Sequence, residues 1–244
     1  MRAPRRKIRL AGVAAFAAAL AAGLLPASAS FGQDTPAASG QDPAPESDPA
    51  ELVHVALVTS FGTITVALDK THAPLTTANF LRYVDAGRLN GALFYRAMHL
   101  GYSDEPTGLL QGGVRDGGKM FPPVPHEATN RTGILHKAGT ISMARFAPGT
   151  ATSDFMILIS DMPALDAEKN NAGEDPGAGF AAFGHVVGGM DVVRAIWDMP
   201  RSVTKGEGVM KGDILENEVR ITAARRVDAP AGEPARTPSA AAAN

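Results

Sequence analysis

The sequence predicts a mainly β domain, a barrel or sandwich of short strands accompanied by two helices. Three observations predict it. Short segments of strand character recur along the middle of the chain, and only two stretches carry helical spacing. The first two strand segments also alternate on either side of a Gly-containing turn, the mark of a β-hairpin.

Taken in order, Val53, Val55 and Leu57 alternate with His54, Ala56 and Val58. After Ser60-Phe61-Gly62, Ile64, Val66 and Leu68 alternate with Thr63, Thr65 and Ala67. Pro74 then opens a helix whose apolar residues, Leu75, Ala78, Leu81 and Val84, are expected to face inward; Gly87 lies just past its end. Further strands are expected at Leu93–Met98, Thr140–Arg145, Phe155–Ile159, Ala181–Val187 and Glu218–Thr222. A second helix is expected over Met190–Met199, with Val193, Ile196 and Trp197 turned inward and Pro200 stopping it. So few helices exclude a doubly wound α/β fold, and closing an antiparallel sheet into a barrel would remove its exposed edges.

The ends of the chain read differently. Arg2, Arg5, Arg6, Lys7 and Arg9 precede an uncharged run from Leu10 to Leu25, followed by Pro26 and Ala27-Ser28-Ala29. A basic head, an apolar middle and a small-residue cleavage site form the secretory pattern, so residues 1–29 are expected to be a signal peptide. Its alanine-rich run is short for a membrane span, and no stable membrane insertion is expected after cleavage. Residues 30–50, rich in Pro, Ala, Ser, Asp and Gln, read as a disordered linker, and residues 227–244 as a disordered tail. Residues 51–226 remain as one folded domain, long enough for one well-buried core.

Charge and composition exclude several function classes. The formal net charge of −2 becomes −7 once the five basic residues of the head are removed, leaving 18 basic against 25 acidic residues. A chain of that sign is a poor partner for phosphate backbones, so no nucleic-acid binding is expected. With no cysteine, thiolate chemistry and cysteine-based zinc sites are impossible. The six histidines are scattered with no helical His-x-x-x-His pair, and no metal site is expected. Gly112-Gly113 and Gly117-Gly118 lack the Lys-Ser/Thr of a phosphate loop and read as turns. The acidic, Gly-rich stretch 166–179 reads as a mobile loop.

The specific signals lie inside the folded segment. Thr59–Phe80 reads TSFGTITVALDKTHAPLTTANF, followed by Phe94-Tyr95-Arg96, Gln111-Gly112-Gly113 and Gly139–Arg145 (GTISMAR). Ser153–Ile157 (SDFMI), Leu165-Asp166 and Phe183–Met190 (FGHVVGGM) complete the set. In this order the motifs resemble the cyclophilin family of peptidyl-prolyl cis/trans isomerases, over roughly Val53–Ile221. The resemblance implies a closed eight-stranded antiparallel β-barrel capped by two α-helices. It also implies proline-containing polypeptides as substrates and no cofactor.

Carried over residue by residue, the resemblance makes Arg96 the catalytic arginine, in Phe-Tyr-Arg where the family commonly has Phe-His-Arg. The plain alternative is an arginine at the barrel edge, paired with an acid and catalytically silent. Gln111 matches the active-site glutamine that contacts substrate backbone. Met156 falls where the family usually has a Phe beneath the proline ring, and strand alternation separates it from Phe155 and Ile157. Leu109 and Leu165 fall on pocket positions, and Phe180 where the family has a histidine or bulky aromatic. Ala144 and Arg145 match the groove strand that usually reads Ala-Asn. The preceding pocket Phe has no counterpart, because 99–107 is a different, longer loop. Ala164 stands where cyclosporin-sensitive members carry Trp, so weak cyclosporin binding is expected.

Two function classes follow. One is an exported isomerase acting on flexible chains, in a bacterial periplasm or other extracytoplasmic space. The other is a catalytically weak peptide-binding module or holdase on the same fold.

Overall fold

The computed structural model describes residues 50–101 and 105–231. The expected signal peptide, most of the expected linker and residues 232–244 of the expected tail lie outside them. Eight strands form a closed antiparallel barrel: β1 (Leu52–Thr59), β2 (Gly62–Asp69), β3 (Leu93–His99), β4 (Gly108–Gly113), β5 (Thr140–Met143), β6 (Phe155–Leu158), β7 (Ala181–Gly188) and β8 (Ile214–Val227). Their order around the barrel is β1-β2-β7-β5-β6-β4-β3-β8. The two-residue turn Ser60-Phe61 joins β1 to β2, with Thr59 opposite Gly62. β8 closes the cylinder, pairing its later half with β1 and its earlier half with β3.

Among the described residues three α-helices accompany the barrel rather than two: α1 (Pro74–Asp85), the single turn α2 (Thr129–Thr132) and α3 (Met190–Trp197). α1 was expected to bury Leu75 and Ala78. Instead Leu75 is exposed, and the buried side is Thr76, Thr77, Phe80, Leu81, Tyr83 and Val84. A stripe repeating every three residues drifts off a helix of 3.6 residues per turn, and the large Phe80 decides which side packs. Phe80 meets Phe155 edge-on at 5.4 Å and Phe183 at 5.5 Å. The N-terminus of α1 lacks a side-chain cap of its own; the Glu127 carboxylate accepts from the Leu75 and Thr76 amides at 3.1 and 2.7 Å. α3 buries Val193, Ile196 and Trp197 as expected.

Strand β4 was not foreseen. Its sequence, GLLQGG, is half glycine, and Gly112-Gly113, expected as a turn, lies inside the strand. Its glycines are sterically required. A Cβ on Gly112 would press on the Phe94 ring and the Leu93 carbonyl, and one on Gly113 would occupy the place of the Asp154 carboxylate.

Strand register separates two apolar clusters. Ala97, Leu110, Ile157 and Ile141 lie side by side across β3, β4, β6 and β5, and all four point into the barrel core. The neighbouring row, Arg96, Gln111, Met156 and Ser142, lies on the outer face. One irregularity makes this possible. Pairing of β3 skips from Phe94 to Arg96 against both β4 and β8, so Tyr95 is bulged. Without the extra residue Arg96 would share the core face of Phe94; with it, Tyr95 and Arg96 both turn outward.

Candidate active site

Arg96 sits at that bulge. Its guanidinium donates from Nη1 to Gln111 Oε1 at 3.2 Å, and from Nε and Nη2 to Asp213 Oδ2 at 3.3 and 3.0 Å. A further Nη2 contact reaches the Val209 carbonyl at 3.5 Å. The arginine is thus paired with an acid and also faces the glutamine of the neighbouring strand. The acid pairing and the glutamine contact coexist on the one side chain.

Gln111 is buried and shared. Its Nε2 donates to the Tyr95 hydroxyl at 2.6 Å, and that hydroxyl donates to Asp154 Oδ2 at 2.5 Å. The Arg115 guanidinium lies 4.3 Å from the Tyr95 ring centroid. Burial raises the Asp154 carboxyl above the ordinary carboxylate range, opposed by the Tyr95 hydrogen bond and the Arg115 charge. Burial, with the neighbouring Asp154 charge, also pushes the Tyr95 phenol upward, so it remains a protonated donor. A chain from Asp154 through Tyr95 and Gln111 therefore fixes the amide orientation that presents Oε1 to Arg96.

Beside this polar chain lies an apolar wall. Leu109, Met156, Leu158 and Met162 form a buried cluster apart from the barrel core, with Met98, Leu100, Leu165 and Phe180 packed on it. All four residues expected to form the proline pocket, Leu109, Met156, Leu165 and Phe180, belong to it. Phe155 and Ile157 belong to the core instead, as alternation requires. Met98, Leu100, Leu158 and Met162 were not anticipated. Leu100, in the loop that departs from the family pattern, packs against this cluster.

Ala144 and Arg145 lie just past β5, which ends at Met143. The Ala144 amide donates to the Asp154 carbonyl at 2.9 Å, tying this edge to the polar chain. The Arg145 side chain is only 5% exposed and is engaged elsewhere. It donates to both carboxylate oxygens of Asp175 at 2.8 Å and to the Gly179 and Phe146 carbonyls, and lies 4.9 Å from the Phe180 ring centroid. Its cation therefore clamps stretch 166–179 against the wall, and only its backbone is left for a groove.

That stretch, expected from the sequence as a mobile loop, is densely hydrogen-bonded. Asn171 ties it internally to the amides of Gly173 and Glu174 and the carbonyls of Glu174 and Pro176. Thr129, Asn130 and Arg131 of α2 bond Ala167, Glu168, Asn171 and Ala172. At its base, the Phe180 amide donates to the Leu165 carbonyl at 2.9 Å. The loop adds an open concavity of about 750 Å³ beside Phe180, lined in part by Phe146, Ala164, Glu168 and Pro176.

His136 links Asp166 Oδ1 at 2.7 Å to Ser142 Oγ at 2.9 Å. The Asp-His-Ser order invites a nucleophile reading, but Ser142 is 0% exposed beside Met156 and no carbonyl carbon could reach it. The arrangement instead anchors the residue after Leu165. No group of three or more His, Cys, Asp or Glu side chains among the described residues is placed to hold a metal ion.

Comparison with known proteins agrees with this geometry. The family model for "Cyclophilin type peptidyl-prolyl cis-trans isomerase/CLD" matches residues 54–226, from the third residue of β1 to the penultimate residue of β8. The chain is similar to peptidyl-prolyl cis-trans isomerase A of Dickeya dadantii, 38% identical over 148 residues, 59% of this chain and 70% of that one. It is 34% identical to peptidyl-prolyl cis-trans isomerase B of Escherichia coli (strain K12) over 165 residues, 67% of this chain and 93% of that one. In fold it resembles the crystal structure of a Cryptosporidium parvum cyclophilin type isomerase, with TM-score 0.56 at 20% identity, covering 73% of this chain and 99% of that one. A closed barrel of this topology, matched by the family model along nearly its whole length, establishes that the chain belongs to the cyclophilin-type peptidyl-prolyl cis/trans isomerases.

Proposed function

We propose that the chain isomerises X–Pro bonds in exported polypeptides, with Arg96 as the catalytic cation. The observation that carries this reading is the junction of Arg96 and Gln111 with the wall that includes Met156, which lies directly across from Gln111. Rotation about an amide meets a barrier of about 18–20 kcal/mol because the nitrogen lone pair is delocalised. No covalent bond breaks, so the reaction asks for no nucleophile, base or metal. As the bond twists, the nitrogen pyramidalises and its lone pair becomes an acceptor. A guanidinium N–H aimed there stabilises the twisted state over either planar one. Leu109, Met156, Leu165 and Phe180 hold the ring, while Gln111, Ala144 and the Arg145 backbone hold the flanking chain.

A cyclophilin type isomerase of Cryptosporidium parvum, TM-score 0.54, was crystallised in the presence of the dipeptide Ala-Pro, which supports a proline-containing ligand here. The basic head and apolar run of residues 1–29 support export and an extracytoplasmic site of action. Ala164 in the concavity beside Phe180 supports weak cyclosporin binding.

Exchange spectroscopy on a Xaa-Pro peptide tests the mechanism. Arg96→Ala is expected to lower the catalysed rate by about 100-fold or more, the scale for removing one transition-state donor. If wild type and Arg96→Ala are equally inactive while the peptide still binds, the chain is a binding module and the enzymatic reading fails.

A further inference from the structure

The donor inventory of Arg96 singles out the residue immediately before β8. A guanidinium has five N–H groups. In Arg96, Nε–H goes to Asp213, the two on Nη2 go to Asp213 and the Val209 carbonyl, and one on Nη1 goes to Gln111. The second Nη1 hydrogen finds no acceptor among the described residues. Asp213 takes two of the four occupied donors, and does so in a sheltered place: the side chains of Arg96 and Asp213 are 13% and 16% exposed.

Asp213 is itself held independently of its side chain. Its carbonyl accepts from the Ala97 amide at 2.9 Å, its amide donates to the Met210 carbonyl at 3.1 Å, and the next residue, Ile214, pairs with Arg96 across β8 and β3. Arg201 Nη1 lies 3.7 Å from its other oxygen, beyond hydrogen-bond reach.

We infer that Asp213 is the positioning residue for Arg96, holding its Nε–Nη2 edge so that the free Nη1 hydrogen faces the substrate. This rests on the catalytic reading of Arg96. An arginine carries a large rotamer entropy, and a fixed carboxylate on one edge removes that freedom before the substrate arrives. Asp213 touches no substrate; it acts through the guanidinium.

The test is a double-mutant cycle by exchange spectroscopy on a Xaa-Pro tetrapeptide, with peptide affinity taken from chemical-shift titration. Asp213→Ala and Asp213→Asn are expected to lower the maximal catalysed rate by about 10- to 100-fold, the scale of a catalytic group displaced by about 1 Å. Peptide affinity should change by less than about threefold, since ring and backbone contacts remain. In an Arg96→Ala background, Asp213→Ala should cost nothing further. Asp213→Asn preserves shape, and an unfolding transition like that of wild type confirms that either variant is folded. The inference is overturned if Asp213→Asn stays within twofold of wild type. It is equally overturned if Asp213→Ala lowers the residual rate of Arg96→Ala by the same factor as in wild type. If Arg96→Ala is as active as wild type, the reading of Arg96 itself falls, and this inference with it.

Discussion

Replacing Tyr95 with Phe removes one oxygen atom from the centre of the Asp154–Tyr95–Gln111 chain. That oxygen accepts from Gln111 and donates to Asp154, so its loss strands a buried amide N–H and one carboxylate oxygen. Stranded buried groups cost about 1–3 kcal/mol each; after crediting the hydroxyl's own relieved desolvation, Tyr95→Phe should lose about 2–4 kcal/mol. The cost should depend on pH in a defined direction. Asp154 is raised above its ordinary value of 3.8 in the folded protein, chiefly by burial, so folding favours its protonated form. Its contribution to stability is fully present below the unfolded value and is lost as pH rises through the raised folded one. Tyr95 is the main hydrogen bond restraining that rise, so its removal pushes Asp154 higher still. The gap between wild type and Tyr95→Phe should widen from about pH 4 to about pH 7, measured by urea unfolding. A variant within about 0.5 kcal/mol of wild type at neutral pH, or a gap larger in acid, would refute the reasoning.

Gly113→Ala forces a methyl group into the Asp154 carboxylate and should cost about 1–3 kcal/mol by urea unfolding. Met156→Ala hollows the apolar wall and should lose about 2–5 kcal/mol, with weaker peptide binding in the same shift titration. Arg145→Ala releases Asp175 and the Gly179 carbonyl, so limited proteolysis should cut within 166–179 while the wild-type loop resists. Cyclosporin should fail to inhibit at micromolar concentration, and Ala164→Trp should increase inhibition.

Period-two alternation marked β1 and β2, general strand character marked five more, and alternation within β6 sent Phe155 inward and Met156 outward. β4 was missed because three of its six residues are glycine and Gly112-Gly113 reads as a turn, whereas β5 and β6, equally buried, carry apolar and β-branched residues. α1 was misjudged because stripe spacing was weighed above the bulk of Phe80. Motif order located Arg96, Gln111 and the four wall residues that the structure brings together. The Tyr95 bulge left no trace in composition, although Arg96 could not face outward without it. Asp154 stood inside a quoted motif, next to Phe155, and its partnership with Tyr95 required the fold. Asp213 lies 117 residues from Arg96, and only barrel closure makes them neighbours.

That closure has a consequence for how the molecule comes into being. β8 is the last strand, and it alone covers the free edges of both β1 and β3. Contacts such as Thr222 with Val58 join residues 164 positions apart. Synthesis runs from the N-terminus, so for most of its making the chain has two bare sheet edges, the surfaces on which chains aggregate. Contacts this distant in sequence also make folding slow. The same final strand delivers Asp213 to Arg96, so barrel integrity and the guanidinium setting arrive in a single late step. The topology thus places the completion of the site at the end of folding, when the last edges close.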